Sequence, residues 1–462
     1  MNKQLISEFI QQTHRDHALV GIAIGVVKNG QSVFEGGVGK LSVQKNDIVT
    51  AKTIFHTASV SKLFTSSAVI QLHEAGLIRL DDPPQQYLPY LKILNRFDHG
   101  LTIRNLLSHT AGIPDVIDYG WDQPQFDTNA LERYIRSLDL DLLFEPGSQF
   151  SYSNIAYEIL GAIISVVSGM PFETFMIENL FKPLAMKSST FLVSDVPKEN
   201  QASPHTSDLD ILKSDIYPYN RAHAPSSTLH TNILDMNRWA IANLNKVTLF
   251  NHKTTFQEMV NPVIKLGDSH RPEKRVGLGW FLDERHGLAF QYHSGHDVGF
   301  TAYHLLVPQS MLGITVLCNT GPAPVEAIAF GILDIIERAI KPQPIKPHII
   351  NKLGQIFRNQ GSQSMIEQYA SMKTILLDDY DFEVDGFLGV ANALLDRNCN
   401  EAAIGFLLAI LQIFPTSAKG YEALARAYFQ NGDVERAIMT AQRSLQIEPD
   451  NPFLRQQIEM LR

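Results

Sequence analysis

The chain has 462 residues, which is more than one ordinary hydrophobic core supports, so the sequence predicts at least two domains. Its net charge of −9 supplies no basic surface for a phosphate backbone, and we therefore expect no nucleic-acid partner. The two cysteines, Cys318 and Cys399, are too few for a disulfide framework, and we expect both to be buried or surface thiols.

Residues 1–12 carry apolar side chains at helical spacing and predict an amphipathic helix, with His14 and His17 expected to be exposed. No continuous apolar run follows Lys3, so the segment does not match a signal peptide. No stretch is long and apolar enough to span a bilayer. The sequence as written therefore predicts a cytoplasmic protein, and a chain with a trimmed N-terminus would be periplasmic instead.

Two strands follow, over residues 20–28 and 32–39, and Asn29-Gly30 between them predicts a hairpin turn. Residues 76–240 have mostly helical and loop-like patterns, including a short capped helix within 102–114 and a longer helix over 155–164. Apolar strands resume over the segments 277–281, 290–295, 300–307 and 313–318, and a helix over 325–339 follows them. We predict an α+β domain over 1–340, an antiparallel sheet flanked by helices with a mostly helical insertion.

Proline-rich residues 341–347 predict a stiff linker. Beyond it, over 348–462, helical patterns repeat with a period of 34 residues, as between Pro415 and Pro449. The region resembles a tetratricopeptide array with two clear repeats, one degenerate copy near 353–370 and a cap helix over 453–461. Packing on the first domain, self-association and binding of a separate protein partner all remain open for this array.

Ser59-Val60-Ser61-Lys62 stands at the start of a long helical pattern that ends near Gly76, a candidate C-cap. Residues three apart lie on one helix face, so the Ser59 hydroxyl and the Lys62 amine are expected to meet. An amine of lowered pKa is able to take the proton of a serine nucleophile. A second Ser-x-x-Lys, Ser42 to Lys45, lies among polar residues and predicts only a solvated turn.

Two further triplets occur once each: Tyr152-Ser153-Asn154 and His293-Ser294-Gly295. The segment 106–112 precedes the first of them. Taken alone, Tyr152 would be read as a buried core tyrosine and Asn154 as a helix N-cap.

In this order the motifs resemble the serine hydrolases of the class C β-lactamase and penicillin-binding protein family, over about residues 1–340. The resemblance implies Ser59 as nucleophile, Lys62 as its base and Tyr152 as a second base that is favoured as phenolate by nearby cations. It also implies substrate and oxyanion contacts from the residues Asn154, His293, Ser294, Gly295 and His296, the last through its backbone N–H.

The third triplet departs from the family, because the β-lactamase branch usually has lysine and threonine where this chain has His293 and Ser294. A partly protonated histidine would hold a carboxylate weakly, so we expect an esterase, D-aminopeptidase or D,D-carboxypeptidase type of activity with weak β-lactamase activity at most. The substrate is expected to be a small amide or ester. A non-catalytic scaffold that keeps the hydrolase fold is the alternative.

No cofactor motif is present. His205, His223 and His230 lack metal-ligand spacing, and no metal site is predicted. The polar loop 204–227 that contains two of them is expected to form a lid or wall of the cleft.

Overall fold

The first domain is organised around an antiparallel sheet in the computed structural model, which describes residues 2–207, 211–246, 249–267, 271, 273–449 and 451–461. In chain order the strands are β1 (Gly21–Lys28), β2 (Gln31–Gly39), β3 (Phe55–His56), β4 (Lys92–Leu94), β5 (Asp139–Asp141), β6 (His205–Ser207), β7 (Ile211–Lys213), β8 (His230–Thr231), β9 (Ile264–Lys265), β10 (Arg275–Val276), β11 (Phe281–Arg285), β12 (Leu288–Asp297), β13 (Phe300–Val307) and β14 (Leu312–Cys318).

Within the described residues, the main sheet has eight strands in the order β2-β1-β14-β13-β12-β11-β10-β9. β1 pairs with β14, with Ile22 opposite Cys318, so both ends of the domain meet in one sheet as predicted. The hairpin turn between β1 and β2 has positive φ at Asn29 (52°) and Gly30 (75°), which is the backbone that an Asn-Gly pair adopts readily. The predicted α+β fold is confirmed.

The helices complete the architecture. They are α1 (Lys3–Asp16), α2 (Ser61–Glu74), α3 (Ile103–Leu107), α4 (Ala130–Ser137), α5 (Asn154–Ser168), α6 (Phe172–Met176), α7 (Ala224–Ser227), α8 (Ile233–Asn245), α9 (Lys253–Met259), α10 (Val325–Glu337), α11 (Ile350–Leu376), α12 (Val384–Asp396), α13 (Asn400–Ile413), α14 (Ala418–Gln430), α15 (Val434–Ile447) and α16 (Pro452–Leu461).

Each face of the sheet has its own core. α1 and α10 cover one face through apolar residues such as Phe9 and Ile332, which pack on Ile24 and Leu305 of the sheet. The helical insertion covers the other face, where Phe64 of α2 stacks on Trp239 of α8 at a ring distance of 3.9 Å. α2 is buried almost all round, as expected of a helix at the centre of a domain. This burial fixes the position of the residues at its N-terminus.

Several local predictions need correction. His14 and His17 are partly buried rather than exposed, because α1 packs against the sheet, and His17 Nε2 lies 3.1 Å from the Ile345 carbonyl oxygen. Ser42 lies in a turn as predicted, but its side chain is buried and its hydroxyl accepts a hydrogen bond from Gln44 N. Asn154 is not the N-cap of α5, since Ser153 caps that helix by accepting a bond from Ala156 N at 3.1 Å.

The secondary-structure elements described over residues 350–461 are all α-helices, α11 to α16, which is consistent with a repeat domain. α11 is interrupted at Gly361, whose φ of 87° is outside helical values. Phe387 of α12 and Phe406 of α13 are fully buried in a separate core. α12 also contacts the first domain, where a Cβ on Gly389 would lie 3.1 Å from Pro322 Cγ.

Among the described residues, no individual helix has the length and apolar character needed to cross a membrane. One pair, Asn154–Ser168 with Phe172–Phe181, meets those two criteria only together and is bent by 77°.

Candidate active site

Ser59 lies in a one-turn 3-10 helix, Ala58–Val60, that runs directly into α2. The sequence placed Ser59 at the start of the α-helix itself, and the tighter turn is a small difference from that prediction. Lys62 follows one turn later, and its Nζ donates a hydrogen bond to Ser59 Oγ at 3.0 Å. Ala58 has a φ of +48°, an unfavourable conformation for a residue with a Cβ, which the surrounding packing imposes just before the serine.

Lys62 is held by three acceptors. Besides Ser59, its Nζ donates to Asn154 Oδ1 at 2.6 Å and to the Ser226 carbonyl oxygen at 2.9 Å. A protonated lysine has three N–H donors, so this arrangement uses all of them. The side chain is fully buried.

Burial lowers the pKa of Lys62 to about 8, although the carboxylates Glu158, Asp115 and Asp297 oppose the shift. An ammonium that loses its water shell is destabilised relative to the neutral amine. At pH 7 a group with a pKa of about 8 is unprotonated in roughly a tenth of the molecules. Lys62 is therefore able to accept the Ser59 proton near neutral pH, which an exposed lysine is not.

Asn154 is oriented by Asp115, a residue that the sequence analysis did not identify. Asp115 Oδ1 accepts hydrogen bonds from Asn154 N at 2.7 Å and from Asn154 Nδ2 at 3.0 Å. With the amide nitrogen directed at the carboxylate, Asn154 Oδ1 is left to accept from Lys62. Nothing in the sequence around Asp115 indicated that it would contact Asn154.

Tyr152 directly precedes Ser153, the N-cap of α5, and its side chain also lies close to Lys62. Its ring stacks on the His109 imidazole at 4.2 Å, and Lys62 Nζ lies 5.0 Å from its ring centroid. Burial raises the pKa of Tyr152 well above its usual value, and a side-chain hydrogen bond with Ser59 only partly offsets this. The predicted phenolate is therefore wrong for the resting site, in which Tyr152 is a neutral phenol.

His109 lies within the segment 106–112 noted in the sequence, although no role was assigned to it. Its Nδ1 accepts a hydrogen bond from Ser153 N at 3.1 Å, and its φ of +55° turns the chain toward α5. Burial, followed by the nearby Lys62, holds the pKa of His109 well below its usual value. His109 is thus a neutral ring that positions the Tyr152 side chain.

His293 is buried on β12, where its Nδ1 donates to the Ser294 carbonyl oxygen at 2.6 Å. Burial lowers the pKa of His293 to about 3, and the charge of Lys62 acts in the same direction. The prediction of a partly protonated His293 is therefore wrong, because the ring is neutral at physiological pH. Its Nε2 is buried and has no hydrogen-bond partner among the described residues.

Side chains of successive β12 residues lie on opposite faces of the sheet, so the remaining residues of the third triplet do not all face the same side. Gly295 faces inward, and a Cβ there would lie 2.1 Å from the Thr57 carbonyl oxygen and 3.1 Å from Ser59 N, so only glycine permits this approach. Ser294 and His296 alternate with it and have exposed side chains. In the described part of the sheet, the pairing of β11 with β12 stops at Tyr292, so the backbone of β12 beside Ser59 is an open edge.

The wall predicted over 204–227 contributes to the site, although positions 208–210 lie outside the described residues. Beyond the Ser226 carbonyl, Ser226 Oγ donates to Glu158 Oε1 at 2.6 Å, which ties the wall to α5. His223 Nδ1 lies 3.1 Å from the same carboxylate oxygen.

His205, His223 and His230, which were considered as metal ligands, each contact a different group of the protein. His205 Nδ1 lies 3.0 Å from the Asn319 carbonyl oxygen, and His230 Nε2 lies 3.0 Å from the Tyr217 hydroxyl. Within the described ranges, no group of three His, Cys, Asp or Glu side chains is placed to hold a metal ion.

Comparison with known proteins identifies relatives of the first domain. The Beta-lactamase family model matches residues 5–335. Protein flp of Staphylococcus aureus (strain MW2) is 28% identical over 320 residues, which cover 69% of this chain and 63% of that protein. The D-alanyl-D-alanine-carboxypeptidase/endopeptidase AmpH of Escherichia coli (strain K12) is 25% identical over 345 residues, which cover 70% of this chain and 86% of AmpH.

Among solved structures, the octameric penicillin-binding protein homologue from Pyrococcus abyssi superposes with a TM-score of 0.65 at 25% identity, covering 78% of this chain and 82% of that one. The chain spans less than two thirds of the length of protein flp.

Proposed function

The chain belongs to the Beta-lactamase family, and on this basis we propose that it is a serine hydrolase that cleaves a small amide or ester through an acyl-enzyme on Ser59. One observation carries the proposal: Ser59 Oγ is hydrogen-bonded to a buried lysine whose pKa is lowered to about 8. A serine becomes nucleophilic when a neighbouring base takes its proton.

Acylation begins when the neutral Lys62 amine takes the Ser59 proton as Oγ attacks the substrate carbonyl carbon. The carbonyl π electrons move to oxygen, and we assign this oxyanion to the backbone N–H groups of Ser59 and His296. Collapse of the intermediate breaks the bond to the leaving group. The neutral Tyr152 phenol donates the proton that the leaving group needs, and Lys62 returns a proton to Tyr152.

Water then attacks the acyl carbon and gives its proton to the neutral Lys62 amine, because the Tyr152 phenol still holds its own proton. The acid leaves, and Ser59 recovers its hydroxyl proton. Asn154 holds Lys62 and is the candidate partner of the substrate amide.

We assign the activity to the esterase or peptidase type rather than to efficient penicillin hydrolysis. A penicillin carries a carboxylate, and His293 is a neutral ring at the position where a cation would hold that group. The name of AmpH is consistent with a D-alanyl peptide as a second candidate substrate. Such a peptide also ends in a carboxylate, so the neutral His293 makes it less favoured than an uncharged ester.

Self-association through the helical repeats is a further proposal, since the Pyrococcus abyssi homologue is described as octameric. The cytoplasmic location expected from the sequence stays part of this proposal. The alternative, a scaffold without catalysis, is opposed by the intact Ser59–Lys62 contact.

Hydrolysis of p-nitrophenyl butyrate, nitrocefin and a D-alanyl-D-alanine peptide by the full chain tests the proposal. We expect the ester to be turned over fastest and Ser59→Ala to lose at least 1,000-fold of the rate. Equal rates for the wild type and Ser59→Ala, with both proteins folded, would support the scaffold. A nitrocefin rate far above the ester rate would contradict the role given to His293.

A further inference from the structure

One of the three acceptors that hold Lys62 Nζ is a main-chain group, the carbonyl oxygen of Ser226. Ser226 lies in α7, a helix of only four residues, so its last carbonyl groups cannot bond within the helix. Two of them accept from α2 instead: Thr65 Oγ1 donates to the Pro225 carbonyl oxygen at 2.6 Å, and Lys62 Nζ donates to the next one at 2.9 Å. The position of α7 therefore decides whether Lys62 keeps its third acceptor.

Two adjacent serines of α7 are each bonded to a buried carboxylate. The Ser226 hydroxyl donates to Glu158 Oε1 at 2.6 Å, and the Ser227 hydroxyl donates to Asp297 Oδ2. Glu158 belongs to α5, and Asp297 is the last residue of β12. One carboxylate thus comes from the helical insertion and the other from the sheet, and together they tie α7 to both layers of the domain.

Glu158 has further contacts at the site. His223 Nδ1 lies 3.1 Å from its Oε1, and both side chains are buried. On α5, Glu158 lies about one turn after Asn154 and therefore on the same face of the helix. That face provides both the direct acceptor of Lys62, Asn154 Oδ1, and the carboxylate that holds the Ser226 hydroxyl.

Asp297 connects α7 to the segment of the nucleophile. Its Oδ2 also accepts a hydrogen bond from His56 Nε2 at 2.7 Å. His56 is the last residue of β3 and precedes Ser59 by three positions. Asp297 directly follows His296, to whose N–H group we assign the oxyanion. Asp297 therefore joins three segments that contribute the nucleophile, the oxyanion contact and the main-chain acceptor of Lys62.

The same two carboxylates act on Lys62 through their charges. Burial lowers the pKa of Lys62 to about 8, and Glu158, Asp115 and Asp297 oppose this shift, Glu158 most strongly. The other titratable groups that face Lys62 are neutral, two imidazoles with lowered pKa values and two phenols with raised ones: His109, His293, Tyr152 and Tyr157. Removal of the charge of either carboxylate should therefore lower the pH at which the Lys62 amine becomes neutral.

We propose that Glu158 and Asp297 form a carboxylate clamp, a pair of positioning residues that hold the adjacent serines of α7 and thereby direct the Ser226 carbonyl oxygen at Lys62 Nζ. The inference rests on the proposed hydrolysis at Ser59. While the clamp is closed on both serines, Lys62 keeps its third acceptor and its amine stays beside Ser59 Oγ. The two charges also make the amine a stronger base than burial alone would leave it, which favours transfer of the serine proton.

The test is the pH profile of kcat/KM for p-nitrophenyl butyrate with the full chain, corrected for spontaneous hydrolysis. Glu158→Gln and Asp297→Asn keep the shape and an acceptor oxygen for the serine but remove the charge. We expect each substitution to lower the midpoint of the profile by about half a pH unit or more, because a nearby carboxylate raises the pKa of an ammonium. Glu158 contacts His223 and Asp297 contacts His56, so a shift in both variants belongs to the group that both charges reach, Lys62.

Ser226→Ala keeps both charges and the carbonyl group but removes the hydroxyl that Glu158 holds. We expect its midpoint to stay at the wild-type value while kcat above the midpoint falls at least fivefold with KM within twofold, because the carbonyl oxygen is fixed less well. Asp235→Asn is the matched control. That buried carboxylate of α8 also accepts from a serine hydroxyl, Ser189 Oγ at 2.9 Å, and its loss should leave the midpoint unchanged.

The midpoint does not depend on the amount of folded enzyme, so partial misfolding of a variant does not affect it. A midpoint that does not fall in Glu158→Gln or in Asp297→Asn, or a Ser226→Ala enzyme with the wild-type kcat, would overturn the inference. Absence of turnover by the wild type at every pH would instead contradict the proposed hydrolase.

Discussion

Asp115 Oδ1 binds both the backbone and the side-chain nitrogen of Asn154, and this contact decides which end of the amide faces Lys62. A reversed amide would place two N–H donors against an ammonium. The orientation of Lys62 therefore depends on a carboxylate that does not touch it.

The first prediction concerns this carboxylate. Asp115→Ala leaves two buried N–H donors of Asn154 without their acceptor, so we expect a loss of about 1–3 kcal/mol in unfolding free energy. We also expect kcat for p-nitrophenyl butyrate to fall at least tenfold, because Asn154 no longer holds Lys62. Chemical denaturation and steady-state kinetics measure the two effects.

Asp122→Asn, exposed on the same loop, serves as control for that experiment and should match the wild type in both measurements. An Asp115→Ala protein with unaltered kcat would show that Asn154 keeps its orientation without the carboxylate.

The second prediction is a pH dependence. The reactive form of Lys62 is the neutral amine, whose pKa of about 8 lies below the usual lysine value of 10.5 because of burial. We expect kcat/KM for p-nitrophenyl butyrate, corrected for spontaneous hydrolysis, to rise about tenfold per pH unit well below pH 8 and to level off above it. A profile that is flat from pH 6 to 9 would contradict Lys62 as base.

The third prediction concerns the contact between β12 and the nucleophile. A Cβ at Gly295 would lie 2.1 Å from the Thr57 carbonyl oxygen, so Gly295→Ala must push β12 away from Ser59. We expect at least a 100-fold loss of kcat/KM, since displacements of about 1 Å at a catalytic site have effects of that size.

Gly405→Ala in α13 is its control, because a Cβ there meets nothing within 4 Å and alanine favours helix. That variant should keep full activity. A Gly295→Ala enzyme of near wild-type rate would mean that this edge of β12 does not border the reacting atoms.

The fourth prediction exchanges the neutral ring for a cation. His293→Lys introduces an ammonium where a substrate carboxylate would bind, and we expect the ratio of nitrocefin to p-nitrophenyl butyrate turnover to rise at least tenfold. His293→Gln, which stays neutral, should leave that ratio within threefold of the wild-type value. If both variants gave the same ratio, the charge at this position would not explain substrate choice.

The sequence predicted the parts of this architecture that depend on local pattern. The Asn29-Gly30 turn, the sheet from both ends of the domain and the helix that carries Lys62 follow from turn chemistry and hydrophobic period. The proximity of Lys62 to Asn154 was inferred from motif order and is present in the structure, while the catalytic roles stay predictions.

The remaining features depend on burial, which a linear pattern does not report. The neutral states of His293 and Tyr152 arise from desolvation among distant segments, so the sequence reading assigned charges that the folded site disfavours. Asp115 and Asp297 are single acidic residues in turn-like or strand contexts with nothing local to distinguish them. Only the fold brings both close enough for their charges to act on the same lysine.

The most direct measurement is the mass of the full chain after reaction with a fluorophosphonate, with the modified residue located by peptide sequencing. Phosphonylation requires an activated hydroxyl, so we expect a single adduct on Ser59 in the wild type. Ser59→Ala should gain no mass. A folded wild-type protein that remains unmodified, or one modified at a different serine, would contradict the claim that the buried Lys62 amine activates Ser59.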